Sequence, residues 1–469
     1  MDFNRELEKY KDEMISNTQK LIAIRSVKDN AGIEGAPFGR GVSRALDFCL
    51  DLAASLGFVT KNLDGYCGYA EYGEGMSYIC AITHLDTIEE GTGWTHDPLG
   101  GEIEDGKIYG RGAIDDKGPA VSLIYALKAL SDSNASPGRK IRLIFGTDEE
   151  GSSGDESLYR DIKHYLQREI PPLMGFTIEA NFPAVYAEKG LSFIKFSRKI
   201  MQPADERIEY IHGGEQPNSV PSKCVAKLIT ADRSGIISKL RVYAKENMCE
   251  LTASLAEDGV IIEASGSEVF SGNLEYGTNA ITMMLRFLAQ LEFGGSEMND
   301  ALKFLVDSIG RGINGEGLGI VYEDEFSGKL THNLGILNFD GRFISMDMDF
   351  RYPVTCDFDN SSAIIKRSFE SAGFEVKICN NLPPIYYPRD HFAIKPLVAA
   401  YRSITGDDSE PIAIGGSSYA KAMANIVAFG PIFPGGKETE HTVGEYVEID
   451  DLVLMGKVYA KALYDLSHS

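Results

Sequence analysis

The sequence contains no long uninterrupted run of apolar residues, and none of its segments approaches the roughly 20 residues that a membrane-spanning helix needs. Basic residues are also scarce relative to acidic ones. The 46 lysines and arginines stand against 69 aspartates and glutamates, which leaves a formal net charge of −23 at pH 7. Such a charge repels phosphate backbones and anionic lipid headgroups. We therefore expect neither a nucleic acid nor a membrane as a partner.

Cysteine is sparse and shows no paired spacing. The seven cysteines form no Cys-x-x-Cys pair and are odd in number, so neither a disulfide framework nor a structural zinc knuckle is indicated. Residues 1–9 carry charges from the second position onward and contain no apolar core of the kind found in signal peptides. We therefore expect a cytoplasmic protein with reduced cysteines.

The apolar residues that are present indicate an α/β fold. They make up 43% of the 469 residues, which is typical of globular proteins, and at roughly 150 residues per domain the chain suffices for two or three domains. Short apolar runs at residues 78–82 and 141–145 flank a helical stretch at about residues 119–130, which has proline in its first turn. This alternation predicts a mostly parallel sheet that helices cover on both faces.

The middle of the chain has a different pattern. From about residue 190, alternating strands such as residues 193–196, 260–264 and 343–350 surround two helical stretches. The α/β pattern resumes after residues 383–384, with helical stretches near residues 397–404 and 452–466. We therefore predict an α/β domain of residues 1–188 and 383–469, into which an α+β domain of residues 189–382 is inserted.

Three of the predicted strands run into polar side chains. These are His84 and Asp86 after residues 78–82, Asp115 and Asp116 after residues 107–112, and Glu149 and Glu150 after residues 141–145. Taken alone, each group is more typical of a local hydrogen bond or a helix cap. Because ligands of open parallel sheets bind outside the carboxyl ends of the strands, we expect the three groups to converge in one crevice. An imidazole and several carboxylates supply the ligands that zinc, manganese or cobalt accept, and Asp86 could orient the imidazole of His84.

These residues lie in longer motifs that occur in a fixed order. The motifs are Thr83-His-Leu-Asp-Thr, Gly93-Trp-Thr-His-Asp-Pro, Asp105-Gly-Lys-Ile-Tyr-Gly-Arg-Gly-Ala-Ile-Asp-Asp-Lys-Gly-Pro, Gly146-Thr-Asp-Glu-Glu, Glu188-Lys-Gly, Phe350-Arg-Tyr-Pro-Val, Ala428-Phe-Gly and Phe433-Pro-Gly before His441. Together they resemble the dinuclear metallopeptidase family that includes acetylornithine deacetylase, succinyl-diaminopimelate desuccinylase, aminoacylase and carboxypeptidase G. In length and wording the chain is most similar to the PepV-type dipeptidases of that family.

The resemblance implies a phosphorylase/hydrolase-like α/β catalytic domain with a mostly parallel central sheet, and an inserted α+β lid domain. It also implies two divalent metal ions, with zinc in first place and manganese or cobalt as alternatives. Five positions match the family's metal ligands: His84 and Glu179 for the first ion, Asp115 bridging both ions, and Glu150 and His441 for the second ion.

The same resemblance implies the catalytic and substrate-binding residues. Glu149 would be the general base, which takes a proton from the attacking water and returns it to the leaving amine. Asp86 is predicted as the second catalytic residue, because it could accept the other imidazole N–H of His84 and so fix the orientation of that ring. Four positions match residues that contact the substrate: Asn218 and Arg351 in the lid, and Gly415 and Gly416 in a glycine-rich loop. Arg351 would grip a carboxylate with two hydrogen bonds, although a structural ion pair is the alternative.

Three positions depart from the pattern of the PepV-type dipeptidases. Glu179 stands where they have aspartate, and several deacylases and carboxypeptidases of the family have glutamate there. Phe270 stands where relatives have a lid histidine that helps to stabilise the oxyanion. Ser417 replaces a glycine of the substrate loop.

We predict hydrolysis of dipeptides or short peptides, by a chain whose lid of nearly 200 residues favours a monomer. One alternative is an N-acyl amino acid deacylase or carboxypeptidase, which Glu179 favours. Another is a metal- or peptide-binding homologue with impaired catalysis, which Phe270 favours.

Overall fold

The computed structural model describes residues 3–29, 32–133, 136–150, 158–267, 269, 274, 277–293, 296–310 and 312–469. These residues form two compact units. Unit 1 contains the described residues up to 187 together with Ile385–Ser469, and unit 2 contains Glu188–Pro384. The predicted domain boundaries were 188 and 383.

The helices and strands are numbered in chain order. The first part of unit 1 contains α1 (Phe3–Glu8), α2 (Lys11–Ile22), α3 (Arg40–Ser55), β1 (Val59–Leu63), β2 (Cys67–Tyr72), β3 (Tyr78–His84), β4 (Glu102–Glu104), β5 (Lys107–Tyr109), α4 (Lys117–Asp132), β6 (Lys140–Gly146), α5 (Arg160–Arg168), β7 (Gly175–Thr177) and β8 (Val185–Glu188). Unit 2 contains β9 (Gly190–Lys199), β10 (Arg207–Gly213), β11 (Lys223–Ile229), α6 (Arg233–Asn247), β12 (Glu250–Leu255), β13 (Gly259–Ser265), α7 (Ala280–Leu288), α8 (Ser296–Ser308), β14 (Glu323–Asp324), β15 (Gly328–Lys329), β16 (Thr331–Phe339), β17 (Phe343–Tyr352), α9 (Phe358–Ser371) and β18 (Glu375–Ile378). The last part of unit 1 contains β19 (Ile385–Tyr386), α10 (Ile394–Thr405), β20 (Ile412–Ile414), β21 (Ile426–Ala428), β22 (Tyr446–Glu448) and α11 (Ile449–His468).

The central sheet of unit 1 confirms the predicted α/β fold class. Its strand order is β1-β2-β6-β3-β7-β21, and the four strands β6, β3, β7 and β21 run parallel to one another. Every residue of β3 is buried, as expected for a parallel strand with both faces covered. On one side, α4 packs against α2 and α11. The carboxyl ends of β6, β3 and β7 therefore open at one edge of the sheet.

The predicted strand ahead of Asp115 belongs to a different sheet, so that part of the prediction was wrong. The three residues of β5 pair with β4 and β22 in a small antiparallel sheet. The positive φ angles of Gly110 and Gly112 then turn the chain away from an extended course. Asp115 consequently arrives at the site just before the first turn of α4, and β7 is the third strand whose end faces the site.

Unit 2 is an antiparallel α+β unit. The eight strands of its main sheet follow the order β12-β13-β11-β10-β16-β17-β9-β18, and each neighbouring pair is antiparallel. A continuous apolar core lies between this sheet and residues of α7, α8 and α9. The described residues of this unit form four helices where the sequence indicated two.

Among the helices of the described residues, none is both long and apolar enough to cross a bilayer.

Candidate metal centre and active site

Five predicted ligands meet at the carboxyl edge of the central sheet in unit 1. His84 is the last residue of β3, and the chain beyond β6 and β7 carries the other strand-end ligands. They are joined by Asp115, which precedes α4, and by His441, which lies in the segment between β21 and β22. The list is His84, Asp115, Glu150, Glu179 and His441, and the structure brings all five together.

Asp115 lies at the centre of this cluster. Its Oδ1 atom lies 2.9 Å from Nε2 of His84, and its Oδ2 atom lies 3.0 Å from Nε2 of His441. The same His441 nitrogen lies 2.9 Å from Oε1 of Glu150. Each carboxylate oxygen of Asp115 thus faces a different imidazole, which is the arrangement that a bridging ligand requires.

The cluster divides into two groups that share Asp115. One group contains His84, Asp115 and Glu179, and the other contains Asp115, Glu150 and His441. Within each group the potential ligand atoms lie within 4.8 Å of one another. Glu179 Oε2 lies 4.0 Å from Nε2 of His84, so the longer glutamate side chain still reaches the first group.

The ring of His84 is oriented by the backbone. Its Nδ1 atom lies 3.0 Å from the carbonyl oxygen of Asp86 and 3.6 Å from the carboxylate of Asp86. Because a carbonyl can only accept a hydrogen bond, the proton lies on Nδ1, and Nε2 points toward Asp115. The sequence suggested that the side chain of Asp86 accepts this hydrogen bond. In the structure, the main-chain carbonyl oxygen of Asp86 is the nearer acceptor.

The carboxylate of Asp86 instead holds the loop that follows β6. It accepts hydrogen bonds from the backbone N–H groups of Glu149, at 3.2 Å, and Glu150, at 3.0 Å. Asp86 is fully buried, so both bonds lie out of competition with water. Asp86 thus fixes the main chain that carries Glu149, the predicted general base. Its effect on catalysis would be indirect, through the position of this loop.

Electrostatics in the cluster indicate a site for cations. Burial and the nearby carboxylate of Glu149 raise the pKa of Glu179 well above its usual range, and burial and the carboxylates of Glu150 and Asp86 do the same for Glu149. Burial acts to lower the pKa of His84, but the contacts with Asp115 and Asp86 raise it well above its ordinary value. So many partly buried carboxylates, close together, disfavour one another's ionisation unless positive charge lies among them. Two imidazoles and three carboxylates are also the donor set that zinc, manganese and cobalt accept.

Two residues of the site have strained backbone conformations. Ala180, which follows Glu179, has φ of +68°, and His441 has φ of +62°. A side chain disfavours this left-handed region by roughly 1–2 kcal/mol. Such residues concentrate at functional sites, where the surrounding structure holds them in place.

The sequence reading missed a buried ion pair that supports Asp115. Arg111 and Glu445 are almost fully buried and lie 2.7 Å apart. Glu445 also accepts hydrogen bonds from the backbone N–H groups of Ile114, at 3.1 Å, and Asp115, at 3.2 Å. Arg111 stands within a conspicuous motif, but its partner lies 334 residues away, and no local pattern connects the two.

Replacing Arg111 should therefore destabilise the protein strongly. We expect Arg111→Met to lower the free energy of unfolding by about 3–5 kcal/mol, because Glu445 would remain as an unpaired buried charge. Denaturant titration at equal metal load measures the change. The control is Arg168→Met, which removes an exposed pair with Asp64 and should cost at most about 1 kcal/mol. Equal losses in the two variants would contradict the supporting role of Arg111.

The predicted substrate residues lie in both units. Gly415 and Gly416 follow β20 in unit 1, whereas Asn218 and Arg351 belong to unit 2. The guanidinium of Arg351 is buried and pairs with Asp349, through Nε at 3.0 Å and Nη2 at 2.9 Å. Its role in gripping a substrate carboxylate stays a prediction. Phe270 lies outside the described residues.

Comparison with known proteins assigns the family. Residues 80–465 match the protein family described as Peptidase family M20/M25/M40. The chain belongs to this peptidase family. It is 36% identical over 478 residues to "Putative dipeptidase YtjP" of Bacillus subtilis, covering 100% of both chains.

Solved structures of the M20 family show the same fold. Human carnosine dipeptidase 1 superposes with a TM-score of 0.60 at 15% identity, over 100% of this chain and 98% of that chain. The M20 metallo-carboxypeptidase Sso-CP2 of Sulfolobus solfataricus gives 0.58 at 16% identity, over 97% and 100%. The predicted family and the predicted peptidase activity are thereby confirmed. As a member of the M20 family, the chain is a peptide-bond hydrolase with two candidate metal-ligand groups.

Proposed function

We propose that this M20 peptidase is a dipeptidase with a dinuclear metal centre, for which Asp115 would supply a ligand to both ions. The observation that carries the proposal is the contact of each Asp115 oxygen with a different histidine, at 2.9 and 3.0 Å. His84 and Glu179 would complete the first group of ligands, and Glu150 and His441 the second. Zinc is the first candidate for the native ion, with manganese and cobalt as alternatives.

The residues of the site divide the chemistry between them. When bound, divalent cations supply Lewis-acid polarisation of the scissile carbonyl and lower the pKa of the attacking water. Glu149 accepts the proton of that water and donates it to the leaving amine. Asp86 keeps Glu149 in place through the backbone hydrogen bond at 3.2 Å. Adjacent Glu149 and Glu150 thus serve as base and ligand respectively.

The dipeptide substrate is supported by the relatives. The full-length match to the Bacillus protein carries the name dipeptidase, and the structural relative from human is a carnosine dipeptidase. We propose that Gly415 and Gly416 of unit 1 contact a substrate that has a free carboxylate, whereas the substrate roles of Asn218 and Arg351 stay predictions from the family resemblance. The monomeric state and the cytoplasmic location remain predictions from the sequence.

A substrate panel tests the dipeptidase proposal. The metal-loaded protein should cleave alanyl-alanine, and it should cleave N-acetyl-alanyl-alanine at least about tenfold more slowly, because a dipeptidase site recognises the free amine. Release of alanine measures cleavage of the Ala–Ala bond in both compounds, and release of acetate measures deacylation, with zinc, manganese and cobalt tried in parallel. Faster cleavage of the acetylated compound would favour the deacylase or carboxypeptidase that Glu179 suggests. Metal binding without cleavage of either compound would favour the binding homologue.

A further inference from the structure

Two functional loops of unit 1 are tied together by the N-terminal turn of α5. One is the catalytic loop, residues 147–150, which follows β6 and carries the proposed general base. The other is the glycine loop, residues 415–418, which follows β20 and carries the proposed substrate contacts. Four side chains make the connection, and we name them the loop clamp: Tyr159, Asp161, Ser417 and Tyr419.

Asp161 anchors the catalytic loop. Its carboxylate is fully buried and accepts hydrogen bonds from the backbone N–H groups of Thr147, at 2.7 Å, and Asp148, at 3.1 Å. The hydroxyl of Tyr419 donates to the same carboxylate oxygen. This single buried oxygen therefore connects the start of the catalytic loop to Tyr419, the residue that follows the glycine loop.

Tyr419 is buried, and its hydroxyl oxygen lies against the backbone of Gly146. Its ring is 1% exposed, and a β-carbon on Gly146, the last residue of β6, would lie 2.2 Å from the Tyr419 oxygen. A side chain at position 146 would therefore displace the tyrosine. The strand β6 ends in a glycine, and the absence of a side chain at this position leaves room for the Tyr419 hydroxyl.

Tyr159 makes the second half of the clamp. Its hydroxyl lies 3.0 Å from Oγ of Ser417, and its ring packs edge-on against Tyr419 with centroids 5.2 Å apart. Ser417 is the residue that departs from the glycine usual in this loop, and a glycine could not make the contact. The departure therefore supplies a hydroxyl that holds the glycine loop against α5.

We propose that Asp161 and Tyr419 are positioning residues for Glu149, and that the Tyr159–Ser417 pair positions the glycine loop for substrate. The proposal rests on the dipeptidase function proposed above. Its physical basis is the sensitivity of catalysis to placement, since an error of about 1 Å can cost about 10²-fold in rate. The two halves of the clamp act on different steps, which makes them separable by kinetics.

The first test removes the Tyr419 hydroxyl. In the metal-loaded protein, Tyr419→Phe should lower kcat on alanyl-alanine about tenfold or more, with KM within about twofold of wild type and metal content unchanged. Asp161→Asn, which keeps the side-chain volume, should act in the same direction. The matched control is Tyr401→Phe, because Tyr401 is equally buried and donates a hydrogen bond to Asp407. Its kcat should stay at the wild-type value.

A merely structural role would give a different result. Tyr419→Phe and Tyr401→Phe would then lose similar thermal stability, and neither would change kcat. That outcome would overturn the positioning role of Tyr419. Hydrogen exchange of residues 147–150 provides a readout besides activity, and it should speed up in Tyr419→Phe and not in Tyr401→Phe.

The second test is a double-mutant cycle on the other half of the clamp. Ser417→Ala and Tyr159→Phe should each raise KM about threefold to tenfold with kcat within about twofold, and the double variant should match either single variant, because both remove the same hydrogen bond. Effects that add in full, or that appear in kcat alone, would overturn the pairing. If the wild-type protein cleaves no dipeptide, the dipeptidase proposal fails, and the positioning proposal fails with it. If wild type is active and Tyr419→Phe keeps its kcat, the positioning proposal fails alone.

Discussion

Glu149→Gln is expected to lower kcat on a dipeptide by roughly 10²–10⁴-fold, the range typical of general acid–base catalysis. The amide has nearly the same shape as the carboxylate, but it cannot accept a proton from water at neutral pH. Because the backbone N–H of Glu149 is held by Asp86 at 3.2 Å, the substituted side chain should remain in place. Steady-state assays of dipeptide cleavage measure the decrease in kcat, and KM should change little.

Two further variants make this result interpretable. Glu150→Gln should lose metal as well as activity, because Glu150 lies 2.9 Å from His441 in the second ligand group. The exposed Glu34 provides the neutral control, and Glu34→Gln should leave kcat and metal content unchanged. Turnover of Glu149→Gln at the wild-type rate would exclude Glu149 as the general base.

Part of the candidate site could be predicted because parallel strands impose a simple rule. The apolar runs of β3 and β6 are long enough to recognise, and the residues after them must emerge at the same edge of the sheet. His84 and Glu150 follow from that rule without any relative. Glu179 does not, since β7 has three residues, which is too short for a periodic signal, and its position came from the family resemblance.

Long-range pairing accounts for what the sequence could not supply. The route of Asp115 into the site depends on the small sheet that β5 forms with β22, and these strands are more than 300 residues apart. The ion pair of Arg111 with Glu445 also joins residues that are far apart in the sequence. By contrast, the contact of Arg351 with Asp349 could be predicted from the sequence, because residues two apart on a strand lie on the same face of the sheet.

Asp115→Ala is expected to abolish tight binding of both metal ions, whereas His441→Ala should weaken mainly one. The reason is geometric: Asp115 presents one oxygen to His84 and the other to His441, at 2.9 and 3.0 Å, while His441 belongs to one ligand group. Elemental analysis after reconstitution and dialysis should give about two ions per chain for wild type, about one for His441→Ala and near zero for Asp115→Ala. The exposed His468 supplies the matched control, since His468→Ala should keep both ions. Circular dichroism would establish that each variant is folded. A wild-type stoichiometry that stays at one with full activity, or an Asp115→Ala protein that retains an ion as tightly as His441→Ala does, would contradict the bridging role of Asp115.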